Sequence, residues 1–189
     1  SDRLIYRVGA QVCIHDIESG QKYFLRERNE ACSSINHVAI DEKSQFVSVC
    51  ESINMTEEED NSAAQLSVYS LKSNNECVAT LVHPTKSQFV GSVFSRGHSS
   101  RHVIALCGGP QHEIVIWNWE TNKVIKTIPI PDNCTRIRCA PINQLMLTTS
   151  GKHGLKVYYS SGENISNITL LAGGGNPEER VEDHVWLGS

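Results

Sequence analysis

The chain has 189 residues, 39% of them hydrophobic and 20% charged, with a net charge of −4 and a mean hydropathy of −0.29. No apolar run approaches the roughly 18–20 residues that would cross a bilayer. The opening SDRLIYRVGA has no basic stretch leading into an unbroken apolar one, so no secretory signal is expected. Seventeen basic against twenty-one acidic residues give no general attraction to phosphate backbones, and the basic snatches TRIRCA and SRGHSSRH are too short for a nucleic-acid footprint.

In chain order, LIYRV, VCIHDI and KYFL are three short runs alternating between apolar and polar residues, a period of two that predicts strands. INHVAIDEKSQFVSVCES is strand, turn, strand, and the acidic TEEED (residues 56–60) follows as a solvated insertion before QLSVYSLKSNNECVATL, again strand, turn, strand. The same grammar returns in FVGSVFSRGHSSRHVIALCGG with EIVIWNWETNKVIKTI. It returns once more in TRIRCAPINQLMLTTSG with GLKVYYSSGENISNITL. LLAGGGNPEER follows as a flexible connection, and EDHVWLG predicts one further strand. All six prolines fall at or between predicted strand ends, where a missing ladder donor costs little. No segment sustains a 3.6-residue period, so the chain is expected to be all-β with almost no helix.

Internal repetition organises these strands. The anchors Val12, Leu66, Ile114 and Leu155 stand 54, 48 and 41 residues apart, near the ~40–50 residues of a four-stranded propeller unit. Such units pack radially, which limits exposed sheet edges. The expected fold is a β-propeller of about four blades, a partial ring with strands a, b, c and d in each. The expected boundaries are a partial blade at 1–30, blades at 31–82, 83–131 and 132–175, and the start of another at 176–189. Inner strands are predicted at Ile35–Ile40, Phe89–Phe94 and Arg136–Ala140. Trp117 takes the strand-c position held by His15, Tyr69 and Tyr158, which predicts packing between blades rather than an aromatic platform for a ligand.

Little in the sequence carries chemistry. The seven cysteines (13, 32, 50, 77, 107, 134 and 139) cannot all pair within one chain, and most lie in apolar runs, so a reduced cytosolic compartment is expected. Four sequons (NMT, NCT, NIS and NIT) point the other way, toward an extracellular binding module. The glycines of LLAGGGNPEER lead to a proline and acids rather than to a helix start, so they make no phosphate cradle, and TTSGKHG lacks the leading glycine of a P-loop. His98 and His102 stand four apart with no helix to align them. Cys134 and Cys139 sit at opposite ends of one predicted strand. Zinc-ligand spacing is missing. The polar candidates on the inner strands are His37, Asp41, Arg136, Arg138, Asp183 and His184, from which spacing alone assembles no nucleophile–base pair. No catalytic residue, cofactor or metal is expected, and no partner-binding residue is assigned.

The strand-c endings IHD, VYS, IWN and VYY resemble the repeat-terminal Trp-Asp of WD-repeat proteins, and APINQLMLTTSG resembles that family's strand a–turn–strand b signature. The resemblance spans nearly the whole chain in degenerate form: no unit holds both a Gly-His dipeptide in the expected place and the Trp-Asp. LCGGPQHEIVIWNWETNKVI, SGKHGLKVYY and EDHVWLG are most similar to the N-terminal propeller of the large cilia- and flagella-associated WD-repeat proteins. What the resemblance implies is a non-enzymatic protein-interaction scaffold in a ciliary, axonemal or cytoskeletal assembly. It implies protein partners, among them axonemal or dynein-associated ones, and a longer chain of which this is part. Neither nucleic acid nor membrane is an expected partner. The alternatives are a WD-repeat adaptor in another cytosolic complex (a ubiquitin ligase or trafficking assembly), a propeller hydrolase, or the extracellular module.

Overall fold

The computed structural model describes residues 2–25, 32–53, 63–82, 88–96, 101–109, 111–131, 133–141, 146–152, 154–161, 164–171 and 180–187. The acidic TEEED, the Gly97-His98 dipeptide and the glycine run at 173–175 lie outside them. Among the described residues there are fifteen strands and no helix, and none is a segment able to cross a membrane as a helix.

The first sheet is β1 (Arg3–Val8), β2 (Gln11–Asp16) and β3 (Lys22–Phe24), in that order. The second is β4 (Cys32–Ile40), β5 (Phe46–Ile53), β6 (Ala63–Ser70) and β7 (Glu76–Val82). The third is β8 (Phe89–Phe94), β9 (His102–Cys107), β10 (Glu113–Asn118) and β11 (Lys123–Pro129). The fourth is β12 (Cys134–Cys139), β13 (Met146–Gly151), β14 (Gly154–Ser161) and β15 (Asn164–Leu171). Every strand pairs antiparallel with its sequence neighbour, so each sheet is a meander. The three inner strands fall where the sequence places them, β8 residue for residue, with β4 starting three residues earlier and β12 shifted by one or two.

Period two explains how the sheets stack. On β9, Val103, Ala105 and Cys107 face the second sheet and meet Cys50, Leu66, Val68 and Leu81. The alternate Ile104 and Leu106 face the fourth sheet and meet Ile137, Cys139 and Leu147. A third apolar cluster, containing Val12, Ile14, Ile35, Val47 and Val49, joins the first sheet to the second. A strand buried on both faces reads as a continuous apolar run, which is why VIALC in β9 shows no clean alternation of polarity. Consecutive sheets stacked face to face with β4, β8 and β12 side by side are compatible with a propeller-like fold.

The aromatic of the third strand in each full sheet obeys one rule. Tyr69, Trp117 and Tyr158 all turn toward the preceding sheet, and all are almost wholly buried. Trp117 stands edge-on to Phe89 with ring centroids 5.6 Å apart, and Trp119 tilts against Phe46 at 4.8 Å. At 2% exposure Trp117 offers no platform to a ligand. Core polar groups are satisfied: Glu51 accepts from Ser67 Oγ at 2.7 Å and Gln65 Nε2 at 3.1 Å, and no buried side-chain nitrogen or oxygen among the described residues lacks a partner.

One expected strand is not formed. Residues 180–187, which contain most of EDHVWLG, belong to none of the four sheets. They lie across the face of β13 that is turned away from the third sheet, where the Val181 N–H donates to the Gly151 carbonyl at 3.1 Å. The period-two pattern survives: His184 and Trp186 turn inward to Thr148, while Val185 and Leu187 are 74% and 90% exposed. Alternation sets which side chains turn inward. A strand also needs a hydrogen-bonded neighbour, and no described segment flanks this one.

Candidate functional site: the cleft between the inner strands

The edges of β4, β8 and β12 enclose a cleft of about 440 Å³, lined among others by His37, Ser92, Arg96, Arg138 and Cys139. Two features of the sequence build it. Each of these strands is the first in its sheet and therefore an edge. On β12 the alternate Ile137 and Cys139 pack toward the third sheet, which leaves Arg136 and Arg138 on the opposite face.

His37 lies on β4 and is held from β8. The backbone N–H of Ser92 donates to its Nδ1 at 3.2 Å, so the neutral ring carries its proton on Nε2. Burial pushes the imidazole down to about 4, and the guanidiniums of Arg138 and then Arg136 add to the effect, so His37 is uncharged at neutral pH. Among the described residues Nε2 takes no hydrogen bond, and since no buried nitrogen is left unsatisfied, that edge of the ring is open to the cleft.

Ser92 Oγ lies 3.5 Å from His37 Nδ1 and 3.0 Å from Ser48 Oγ. This brings a hydroxyl to an imidazole, which spacing in the sequence could not do. It does not make an activated nucleophile. The Nδ1 lone pair already accepts the Ser92 N–H, and the Ser92 side chain is wholly buried. Asp41, the carboxylate nearest in sequence, is turned into the β4–β5 turn, where it accepts from the N–H groups of Lys43 (3.2 Å), Gln45 (2.6 Å) and Phe46 (2.7 Å). It orients the chain and not the histidine.

Arg136, Arg138, Asp183 and His184 come together at the far side. Arg138 Nη2 reaches both oxygens of Asp183 at 3.2 and 3.3 Å, its Nε donates to the His184 carbonyl at 3.4 Å, and Arg136 Nε stands 3.9 Å from the same carboxylate. The backbone N–H of His184, foremost, holds the Asp183 carboxyl below its usual range, and the two arginines assist. The His184 ring sits between Ser150 Oγ at 2.9 Å and Thr148 Oγ1 at 2.6 Å, and burial, then Arg138, lower its pKa. Trp186 Nε1 donates to the same Thr148 oxygen at 3.0 Å. These bonds fasten residues 183–186 to the fourth sheet.

Sequence reasoning named six residues, and the structure sorts them into three roles. His37 and Arg138 face the cleft, Asp41 holds turn backbone, and Arg136 and Arg138 meet Asp183 on the terminal segment, whose His184 ring is held by Thr148 and Ser150. It missed Ser92, Arg96, Thr148 and Ser150, which are common residue types with no local signal. Rim residue Arg96 stands 3.9 Å from Glu42, both about half exposed. The seven cysteines are all free thiols. Burial above all raises the thiol of Cys50 to about 12 and that of Cys107 beyond the ordinary thiol range, so neither is a thiolate at neutral pH. Among the described residues no group of three or more His, Cys, Asp or Glu side chains gathers as a metal site would require.

No family model matches the chain, and no curated protein matches it. Fold and site together define an all-β protein of repeated antiparallel meanders with a polar cleft at the inner strand edges.

Proposed function

We propose that the chain is a run of degenerate WD-type blades, part of a propeller in a longer protein, and that it serves as a non-enzymatic protein-interaction scaffold in a ciliary or axonemal assembly. The observation that carries the reading is the repeated interface. Each of three successive sheets turns its strand-c aromatic toward the preceding sheet within an apolar cluster, a repeated packing that supports a scaffold role. The Ser92–His37 contact in the cleft is not an activated pair, since Nδ1 accepts the Ser92 N–H and the Ser92 side chain is buried. The ciliary assignment rests on the resemblance of LCGGPQHEIVIWNWETNKVI, SGKHGLKVYY and EDHVWLG alone.

The test is fractionation of the tagged full-length protein in a ciliated cell. Retention in the axonemal pellet after detergent removes the membrane supports the reading. Complete release into the detergent-soluble fraction overturns the axonemal assignment, and turnover of ester or phosphoester substrates that is lost in H37Q overturns the non-enzymatic one.

A further inference from the structure

We propose that residues 183–186 form a latch worked by pH: neutral His184 locks them onto β13, and its protonation releases them from the outward face of the fourth sheet. The latch goes beyond the scaffold reading and stands without it, since it depends only on local bonds.

The donors and acceptors run in one direction. An indole N–H can only donate, so Trp186 Nε1 donates to Thr148 Oγ1 at 3.0 Å. The Thr148 hydroxyl is buried, and among the described residues its only acceptor is His184 Nε2 at 2.6 Å. That bond places the imidazole proton on Nδ1, which donates to the buried Ser150 Oγ at 2.9 Å. The row of Trp186, Thr148, His184 and Ser150 is thus complete with a neutral ring, and each bond polarises the next. A proton on Nε2 sets an N–H against the Thr148 O–H. The hydroxyl must then turn away from its one acceptor, in a buried site where an unmade bond is costly.

The charges around the ring oppose protonation on balance. Those facing His184 are Arg138 and Arg136 on β12 and Asp183 beside it, while β13 brings hydroxyls and no charge. The Asp183 carboxylate favours the charged ring, but it is occupied by Arg138 and by the His184 backbone N–H. Arg180 and Glu182, on the same segment, pair with each other in solvent. Burial foremost, then Arg138, leave the His184 pKa below its ordinary value. Little else holds the segment. It joins no sheet, Val181 makes one backbone bond to Gly151, and Arg138 reaches the His184 carbonyl at 3.4 Å. Asp183 is half exposed in its pair with Arg138, and pairs of that kind contribute little alone. The row of hydrogen bonds therefore decides whether the segment stays.

The folded ring has the lower pKa, so the latch is at full strength above about pH 6.5 and weakens as the pH falls below it. The test is hydrogen exchange of the full-length protein, read by mass spectrometry on the peptide covering residues 180–187. Protection factors are compared between about pH 7.5 and about pH 5, above the range in which His37 titrates. Protection is expected to fall roughly tenfold toward the acid end, the share of one lost hydrogen bond, while a peptide from β10 keeps its own. In H184Q the amide gives Thr148 an acceptor and Ser150 a donor without titrating, so protection should stay level across the range. T148V should be as open at the neutral end as the wild type is at the acid end, and T148S should restore closure. Level protection of residues 180–187 in the wild type, an equal fall in H184Q, wild-type protection in T148V, or an equal fall in β10 would each overturn the proposal. The comparison of the two peptides in the wild type needs no variant to fold.

Discussion

His37 shows how one residue's surroundings set a property that its identity does not. In the unfolded chain its imidazole titrates near the ordinary 6.5, and in the folded protein near 4. Between those values the unfolded chain binds a proton that the folded chain refuses. Stability is therefore full above about pH 6.5, falls as the pH drops, and levels off below about 4. At about 1.4 kcal/mol per unit the loss is about 3 kcal/mol. His184 is shifted in the same direction, so its contribution too is lost as the pH drops below the ordinary histidine range, while Asp183, held low, loses its contribution only as the pH falls through the carboxylate range. H37Q cannot titrate, so its urea-unfolding free energy should fall by about 3 kcal/mol less between pH 7 and pH 4 than that of the wild type. Parallel pH profiles for the two proteins would show that His37 is solvated and charged like any surface histidine.

At the scale of elements, the turn that follows β2, β6 and β10 repeats with a definite chemistry. The residue after the aromatic accepts a backbone N–H three positions on: Asp16 from Ser19 at 2.9 Å, Ser70 from Ser73 at 3.2 Å, and Asn118 from Thr121 at 3.2 Å. Four positions on, the backbone is left-handed, at Gly20 (φ 68°), Asn74 (φ 55°) and Asn122 (φ 52°). Short polar side chains and glycine tolerate that region where a branched residue does not. This gives a physical reason for the polar residue after each of these aromatics, independent of any family likeness. The expected consequence is that N122V destabilises the protein by about 1–2 kcal/mol while N122G is neutral within a few tenths. Equal melting midpoints for the two variants would show that the β10–β11 turn does not hold the left-handed geometry under load.

At the scale of the whole molecule, the two end sheets are unlike the middle ones. On the first sheet Leu4, Tyr6, Val8, Cys13, His15 and Phe24 share the face turned away from the second sheet, and Leu4, Val8 and Phe24 are about half exposed. The corresponding faces of the other sheets are sealed by a neighbour. Across the fourth sheet, Val185 and Leu187 are presented outward on a segment that joins no sheet. Apolar faces and free strand edges of this kind associate. The 189-residue chain expressed by itself should therefore sediment as dimers or larger species at tens of micromolar, and L4D/F24D should shift it toward monomer. A compact wild-type monomer at that concentration would mean that the two ends seal each other.

The sequence by itself determined the all-β class, the meander order and the positions of the inner strands. Those depend on local alternation, turn residues and a repeat period, which are properties of neighbouring residues. It also placed Tyr69, Trp117 and Tyr158 at one equivalent position, because a repeat has to bury the same face each time. Only the tertiary structure decided the rest. That β9 packs on two sheets at once, that Ser92 fixes the tautomer of His37 from 55 positions away, and that Arg138 reaches Asp183 from 45 positions away depend on how sheets stack. No local pattern encodes such pairings. Gly151 makes the same point. A Cβ there would lie 2.1 Å from the Asn133 carbonyl oxygen, and that demand for glycine comes from the close pairing of Gly151 with Cys134 beside a register shift in β12, which exists only once the two strands have paired.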